Sequence, residues 1–237
     1  MNIRTFLTLI LTIVLLAGCV NSSNTETIKT KPLDYTDKSI IDSLIKATPQ
    51  SSDTMFLGFR AGMTKSDYQK HIQNLRDEGK SISHSNSNTI STIAGTFNLG
   101  AGYTFKTNIS TEKSGKTITG TGDYFLEPHY NTNGHLIQLN ILPIEKWDND
   151  YGLDNPNWLK TKVKENSTTL TDKSLKQALI DNKIVGENSF IRQKGGLVIY
   201  ETTLTVNYID LKSLFLELLI KETKKEIAKE QTKEIKF

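Results

Sequence analysis

Cysteine is almost missing from this chain: Cys19 is the only one in 237 residues. That excludes an internal disulfide framework, and it excludes thiol catalysis anywhere beyond position 19. Charge of one sign is lacking too. Lys and Arg number 29 against 26 Asp and Glu, for a formal net charge of +3, without the strongly basic face that nucleic-acid binders carry. No nucleic-acid partner is expected. No apolar run reaches the ~20 residues that a membrane-crossing helix needs. There is no Gly-x-Ser-x-Gly nucleophile pattern and no phosphate loop. Gly100-Ala101-Gly102 lacks the third glycine and the following helix of a dinucleotide site. The scattered carboxylates single out no acid–base pair. No catalytic residue and no cofactor is therefore expected. What remains is 36% hydrophobic, low for a globular chain but above a disordered one, and it falls in periodic segments.

The amino terminus carries the strongest local signal. Met1-Asn2-Ile3-Arg4 is a short basic head, and Thr5 to Leu16 is an almost unbroken apolar run. Small residues then precede a cut site, the layout of a secretory signal. Leu16-Ala17-Gly18-Cys19 resembles a bacterial lipobox. The resemblance implies diacylglyceryl transfer to the Cys19 thiol, cleavage between Gly18 and Cys19, and acylation of the new amino terminus. An ordinary secretory signal beside a chance cysteine is the alternative. Each buried methylene contributes about 0.8 kcal/mol, so two or three acyl chains hold a protein on a membrane where one does not. Residues 20 to about 36 are rich in Asn, Ser, Thr and Lys and read as a tether. Fully extended, it spans at most about 55 Å. No acidic cluster follows Cys19, and the expected location is an outer membrane, on its periplasmic face.

The body alternates helical and strand periodicities. Ile40, Ile41, Leu44 and Ile45 predict a helix over 39–47, ended by Thr48-Pro49. Thr64 is a helix cap with Asp67 at the third position, and Met63 with Tyr68 forms a hydrophobic staple. Tyr68, Ile72 and Leu75 continue one stripe until Gly79. Phe97, Leu99, Ala101, Tyr103 and Phe105 alternate with polar residues or glycine as a half-buried strand. Asp123–Tyr130 and His135–Leu142 flank Asn133-Gly134, a hairpin signal. Val198, Tyr200, Leu204, Val206 and Tyr208 predict one further long strand, and 211–220 a buried helix. The lysine- and glutamate-rich end reads as a solvated, fraying helical tail. The fold class expected is α+β, a mainly antiparallel sheet packed by helices with a C-terminal helix. Its parts are a signal peptide (1–18), a lipidated cysteine and tether (19–36), a globular domain (37–220) and a charged tail (221–237).

Leu170-Thr171, Leu175 and Leu179 repeat the pattern of Met63-Thr64, Tyr68 and Ile72 at an offset of 107. The two readings are an internal duplication and two similar helix starts arising by chance.

Two arrangements look like ion sites and fail on geometry. If Asn133-Gly134 is a two-residue turn, Thr132 pairs with His135 and Tyr130 with Ile137. His129 and His135 then project from opposite faces, and Glu127, His129 and His135 make no metal site. Asp148, Asp150 and Asp154 lack the glycine and the bidentate glutamate of a calcium loop at the required positions. They read as a turn-rich loop, and no metal is expected. The same loop holds Trp147, Tyr151 and Trp158. These aromatics either pin the loop to the core or form a contact platform for a glycan, a peptide or a protein.

Phe56-Leu57-Gly58-Phe59-Arg60-Ala61-Gly62-Met63-Thr64-Lys65 resembles a stretch that opens a helix in uncharacterised exported bacterial proteins. Similar Gly-Met-Thr starts occur in small outer-membrane assembly lipoproteins and in the β-lactamase-inhibitor-protein-like fold. The resemblance implies a helix-packed sheet and binding rather than catalysis, and it carries over no functional residue. The expected function is a membrane-anchored lipoprotein that binds a protein, peptide or envelope component. An envelope-polymer hydrolase using carboxylates and an inhibitor or immunity lipoprotein are the alternatives.

Overall fold

Five helices and eight strands follow one another along the chain in a computed structural model that describes residues 32–92, 95–113, 115–144, 155–202 and 205–234. The leader, the lipobox with Gly18 and Cys19, the tether to residue 31, and Trp147 and Tyr151 lie outside the described residues. Helix α1 (Lys38–Ala47) is capped by Asp37, whose side chain accepts from the Ser39 and Ile40 amides. Helix α2 (Lys65–Asp77) opens on a full capping box between Thr64 and Asp67. It ends as foreseen at Gly79 (φ 82°), where Lys80 N–H returns to the Leu75 carbonyl at 2.9 Å.

Strands β1 (Ser81–Thr92), β2 (Gly95–Lys113), β3 (Lys116–Tyr130) and β4 (Leu136–Pro143) form the first meander. Helix α3 (Asn155–Glu165) and the two-residue β5 (Thr168–Thr169) precede α4 (Lys173–Asp181). Then come β6 (Ile191–Lys194), β7 (Leu197–Glu201), β8 (Val206–Asp210) and α5 (Leu211–Glu234). All eight strands make one sheet in the order β1-β2-β3-β4-β8-β7-β6-β5, antiparallel throughout. This is the α+β architecture that the sequence predicts.

Strand alternation sends the core to both sides of the sheet. Leu139 and Ile141 of β4 lie opposite Tyr208 and Val206 of β8. With Leu197 and Ile199 they pack under α2 and α3, against Tyr68, Ile72, Leu75, Leu159 and Val163. The reverse face of β6–β8 (Ile191, Val198, Tyr200, Ile209) packs under α1, α4 and α5. These placements bear on the duplication. Two repeats whose last strands pair antiparallel are related by a two-fold axis normal to the sheet, which keeps faces. Helices α2 and α4, the matched pair, lie on opposite faces. Their caps do not correspond either, because Asp172 and not Thr171 caps α4. The resemblance of the two helix starts is local.

Four other expectations need correction. The long strand through 198–208 is a hairpin: β7 and β8 pair with each other, and Thr202 and Thr205 close the turn through their hydroxyls at 2.8 Å. Trp158 sits in a helix and not in a loop, since α3 starts at Asn155 with Pro156 in its first turn, where a missing N–H is harmless. The Asn133-Gly134 turn spans four residues, because the Asn131 carboxamide accepts from the Asn133 and His135 amides at 3.0 Å each. The shift is confined to the turn end: Tyr130 faces Leu136 where Ile137 is expected, while His129 faces Gln138 and the rest of the ladder keeps the register that the sequence predicts. The alternation of β2 breaks near Leu99, where the pairing steps from Asn88–Gly100 to Thr89–Asn98, and Phe97 is 51% exposed.

Both ends of the described fold are tied down. Tyr35, within the segment read as tether, is buried against Phe215 and donates to Asp172 Oδ2 at 2.6 Å. At the other end, Glu222 is buried and accepts from Asn182 at 3.0 Å, and Lys38 pairs with Glu226. The first turns beyond residue 220 are thus part of the packed structure.

Candidate functional site

The ladder between β2 and β3 runs from Lys113–Lys116 to Tyr103–Leu126 and stops there. Beyond that point residues 97–102 pair only with β1, and 127–130 pair only with β4. Pro128 supplies the local cause: it has no N–H, and an interior strand does not tolerate it. The bulge near Leu99 bends β2 away at the same level. The sheet forks, and a cavity of about 370 Å³ opens at the fork.

Tyrosines dominate its wall. Tyr68 from the first turn of α2, Tyr103 from β2 and Tyr130 from the end of β3 meet with ring centroids 6.2 and 6.4 Å from Tyr68. The segment singled out by its Gly-Met-Thr helix start makes the bed of this site. Phe59, fully buried, stacks on the Tyr68 ring at 4.6 Å, and His71 bonds the Leu57 carbonyl at 2.8 Å. Leu136 exchanges backbone bonds with Gly62 and Met63, which fixes the start of α2 on β4. Phe125 crosses beneath β2, and only glycine fits above it: a Cβ on Gly102 would lie 2.5 Å from the Phe125 ring.

The chemistry of the cavity is that of a donor site with aromatic walls. Tyr68 is 3% exposed, and its hydroxyl is buried with no hydrogen-bond partner. Burial, reinforced by Tyr130 and Tyr103, raises its pKa far above the phenol range, so the hydroxyl keeps its proton. Burial pushes the Tyr130 phenol up to about 12. Lys65 stands over the Tyr130 ring at 5.7 Å, and the Arg76 guanidinium over the Tyr103 ring at 5.5 Å. His84 meets Tyr103 edge-on at 5.0 Å, and Gln69 completes the rim. Glu127 also borders the cavity, but its carboxylate is engaged by Asn140 at 2.8 Å and faces His129 at 3.3 Å. The His129 contact, the larger effect, and the Asn140 bond hold that carboxyl below its ordinary range.

A second cleft, of about 560 Å³, lies where β7 ends. Glu201 borders it, 4% exposed, with Oε1 unpartnered. Burial raises its pKa despite the nearby cations Lys160, Lys164 and Arg192. Glu187, the other carboxylate of this cleft, is exposed on the turn before Phe190.

Of the aromatics proposed from sequence, Trp158 is half-buried and tilted over Tyr124 at 5.4 Å. It borders a smaller cleft of about 250 Å³ with Phe56 and Lys162. Trp147 and Tyr151, like Cys19, fall outside the described residues. Among the described residues no group of three His, Cys, Asp or Glu is placed to hold a metal ion, and no helix is long and apolar enough to cross a membrane. The sequence pattern puts Tyr68 and Tyr103 on apolar stripes and Tyr130 at a strand end without joining them. The one linear clue is a hydroxyl-bearing residue at the stapling position of α2. No family model matches the chain, nor does any curated protein or solved structure.

Proposed function

We propose that this protein is a lipid-anchored binding protein of the cell envelope, held on the membrane through Cys19, whose ligand enters the cavity formed by Tyr68, Tyr103 and Tyr130. The observation that carries the reading is the unpartnered, buried hydroxyl of Tyr68, a residue that lines an aromatic cavity. A buried polar group without a bond costs about 1–3 kcal/mol, which an acceptor on a ligand recovers. Aromatic faces and a few fixed polar groups are the usual means of binding without chemistry. The partner class is a protein, a peptide or another envelope component.

The anchor follows from the lipobox resemblance and is tested by Cys19→Ala: unchanged recovery in the membrane fraction contradicts it. The binding site is tested in the native cell with a photo-crosslinking residue at Gln69 on the rim, and at Gln177 on α4 as control. An adduct formed from position 69, absent from 177 and lost with Tyr68→Phe, is the expected result. No adduct at 69, or the same adduct from both positions, contradicts it. The competing reading, a hydrolase of envelope polymers, rests on Glu201 and its raised pKa. It requires Glu201→Gln to abolish turnover of such a polymer by the wild-type protein.

A further inference from the structure

The fork leaves two stretches of strand backbone paired on one side only among the described residues: 97–102 on β2, which keeps β1, and 127–130 on β3, which keeps β4, with Gly100 N–H donating to Asn98 Oδ1 and its carbonyl accepting from Asn88. Both stretches are accessible: Phe97, Asn98 and Ala101 are exposed and Leu99 is half-buried, as are Glu127, Pro128 and Tyr130. A row of unpaired N–H and C=O groups is a template for another extended chain. Between these edges lie the tyrosine cavity and its donors. Tyr68 presents a proton with no acceptor, and Lys65 and His84 stand on the rim, with Arg76 behind Tyr103. The one carboxylate among the residues lining the cavity, Glu127, is occupied by Asn140.

We propose that the ligand of this site is an extended peptide that adds as a strand to residues 97–102 of β2 and places a carboxylate in the cavity, where Tyr68 and Lys65 bind it. The inference rests on the binding site proposed above and specifies its occupant. Strand pairing supplies affinity with little regard for sequence, while the cavity reads one position. A glycan has no strand backbone to offer this edge, so the fork favours a peptide over the other envelope components. Pro128 fits the same picture, because β3 ends its pairing with β2 where the incoming strand lies, while it keeps β4.

The test uses the purified, lipidated full chain in detergent and a phage-displayed library of random octapeptides. Enriched peptides are synthesised in three forms: parent, parent with Asp or Glu changed to the amide, and parent with alternate backbone nitrogens methylated. Expected are an acidic residue at one fixed position, at least tenfold weaker binding for the amide form and for one methylation frame, and slowed amide exchange at residues 97–102 on binding. No enrichment, or binding indifferent to methylation in either frame, overturns strand addition. The Tyr68→Phe chain separates the two claims. Peptides that lose affinity with Tyr68→Phe but tolerate methylation leave the cavity standing and refute the strand. Peptides that pair through their backbone yet ignore Tyr68→Phe refute the cavity.

Discussion

Replacing Tyr68 by phenylalanine removes one oxygen and almost nothing else. The ring stays stacked on Phe59 and edge-on to Tyr130. For an ordinary buried tyrosine the change deletes a hydrogen bond and destabilises by about 1 kcal/mol. Here the hydroxyl is buried and bonds to nothing, so the change instead removes a desolvation penalty of about 1–3 kcal/mol. Against that stands the loss of a few dispersion contacts at about 0.1–0.2 kcal/mol each. The net expectation is a stabilisation of about 1 kcal/mol, or roughly 2–4 °C in Tm for a domain of this size. Differential scanning calorimetry of the wild type and the variant at pH 7 reads it directly. A Tm lowered by 2 °C or more refutes the reasoning, since it means the hydroxyl was already satisfied. Alkaline pH gives an independent check. The folded pKa of Tyr68 lies above the unfolded value of 10.0, so above pH 10 the unfolded chain releases its proton first and stability falls. The Phe variant loses less stability in that range.

Other perturbations follow from the same structure. Gly102→Val forces a side chain into the Phe125 ring, as the 2.5 Å approach of a Cβ requires; a loss of about 1–3 kcal/mol in urea unfolding is expected, and in the Phe125→Ala background the same change costs clearly less. Glu201→Gln raises stability at pH 7. The raised pKa of Glu201 means that the folded protein holds its proton longer, so wild-type stability declines as pH rises above 4.5; equal Tm shifts for variant and wild type between pH 4.5 and 7.5 contradict this. Asp172→Ala removes both the cap of α4 and the acceptor of the Tyr35 hydroxyl. It should cost about 2 kcal/mol or more, read by chemical denaturation, against well under that for the exposed pair partner Lys46→Ala.

Local signals were legible in the sequence where they are self-contained. Thr64 and Asp67 cap α2 with atoms only three residues apart, and Gly79 ends it with a backbone conformation of its own. The β3–β4 hairpin and its register from Tyr124–Pro143 to His129–Gln138 showed through alternation and Asn133-Gly134, and only the last pair at Tyr130 slips, because Asn131 widens the turn. The β7–β8 hairpin was hidden for a physical reason. Each residue of both strands is buried, which erases alternation, and threonines close the turn in place of glycine or proline. Helix α3 was masked by turn-forming residues at its start, although Leu159 and Val163 sit one turn apart on the core. The site was the least legible part. Tyr68, Tyr103 and Tyr130 come together only through the docking of α2 on β4 and the register of β2 with β3, and neither is written in any local pattern.

The proposed site requires the Tyr68 hydroxyl to be an open bonding position that a ligand fills. Adduct yield from the crosslinker at Gln69, compared in cells carrying Tyr68 and in cells carrying Tyr68→Phe, tests that most directly. The expected result is a clear adduct with the tyrosine and at least a tenfold drop with the phenylalanine, at equal protein levels. Equal yield from the two chains contradicts it.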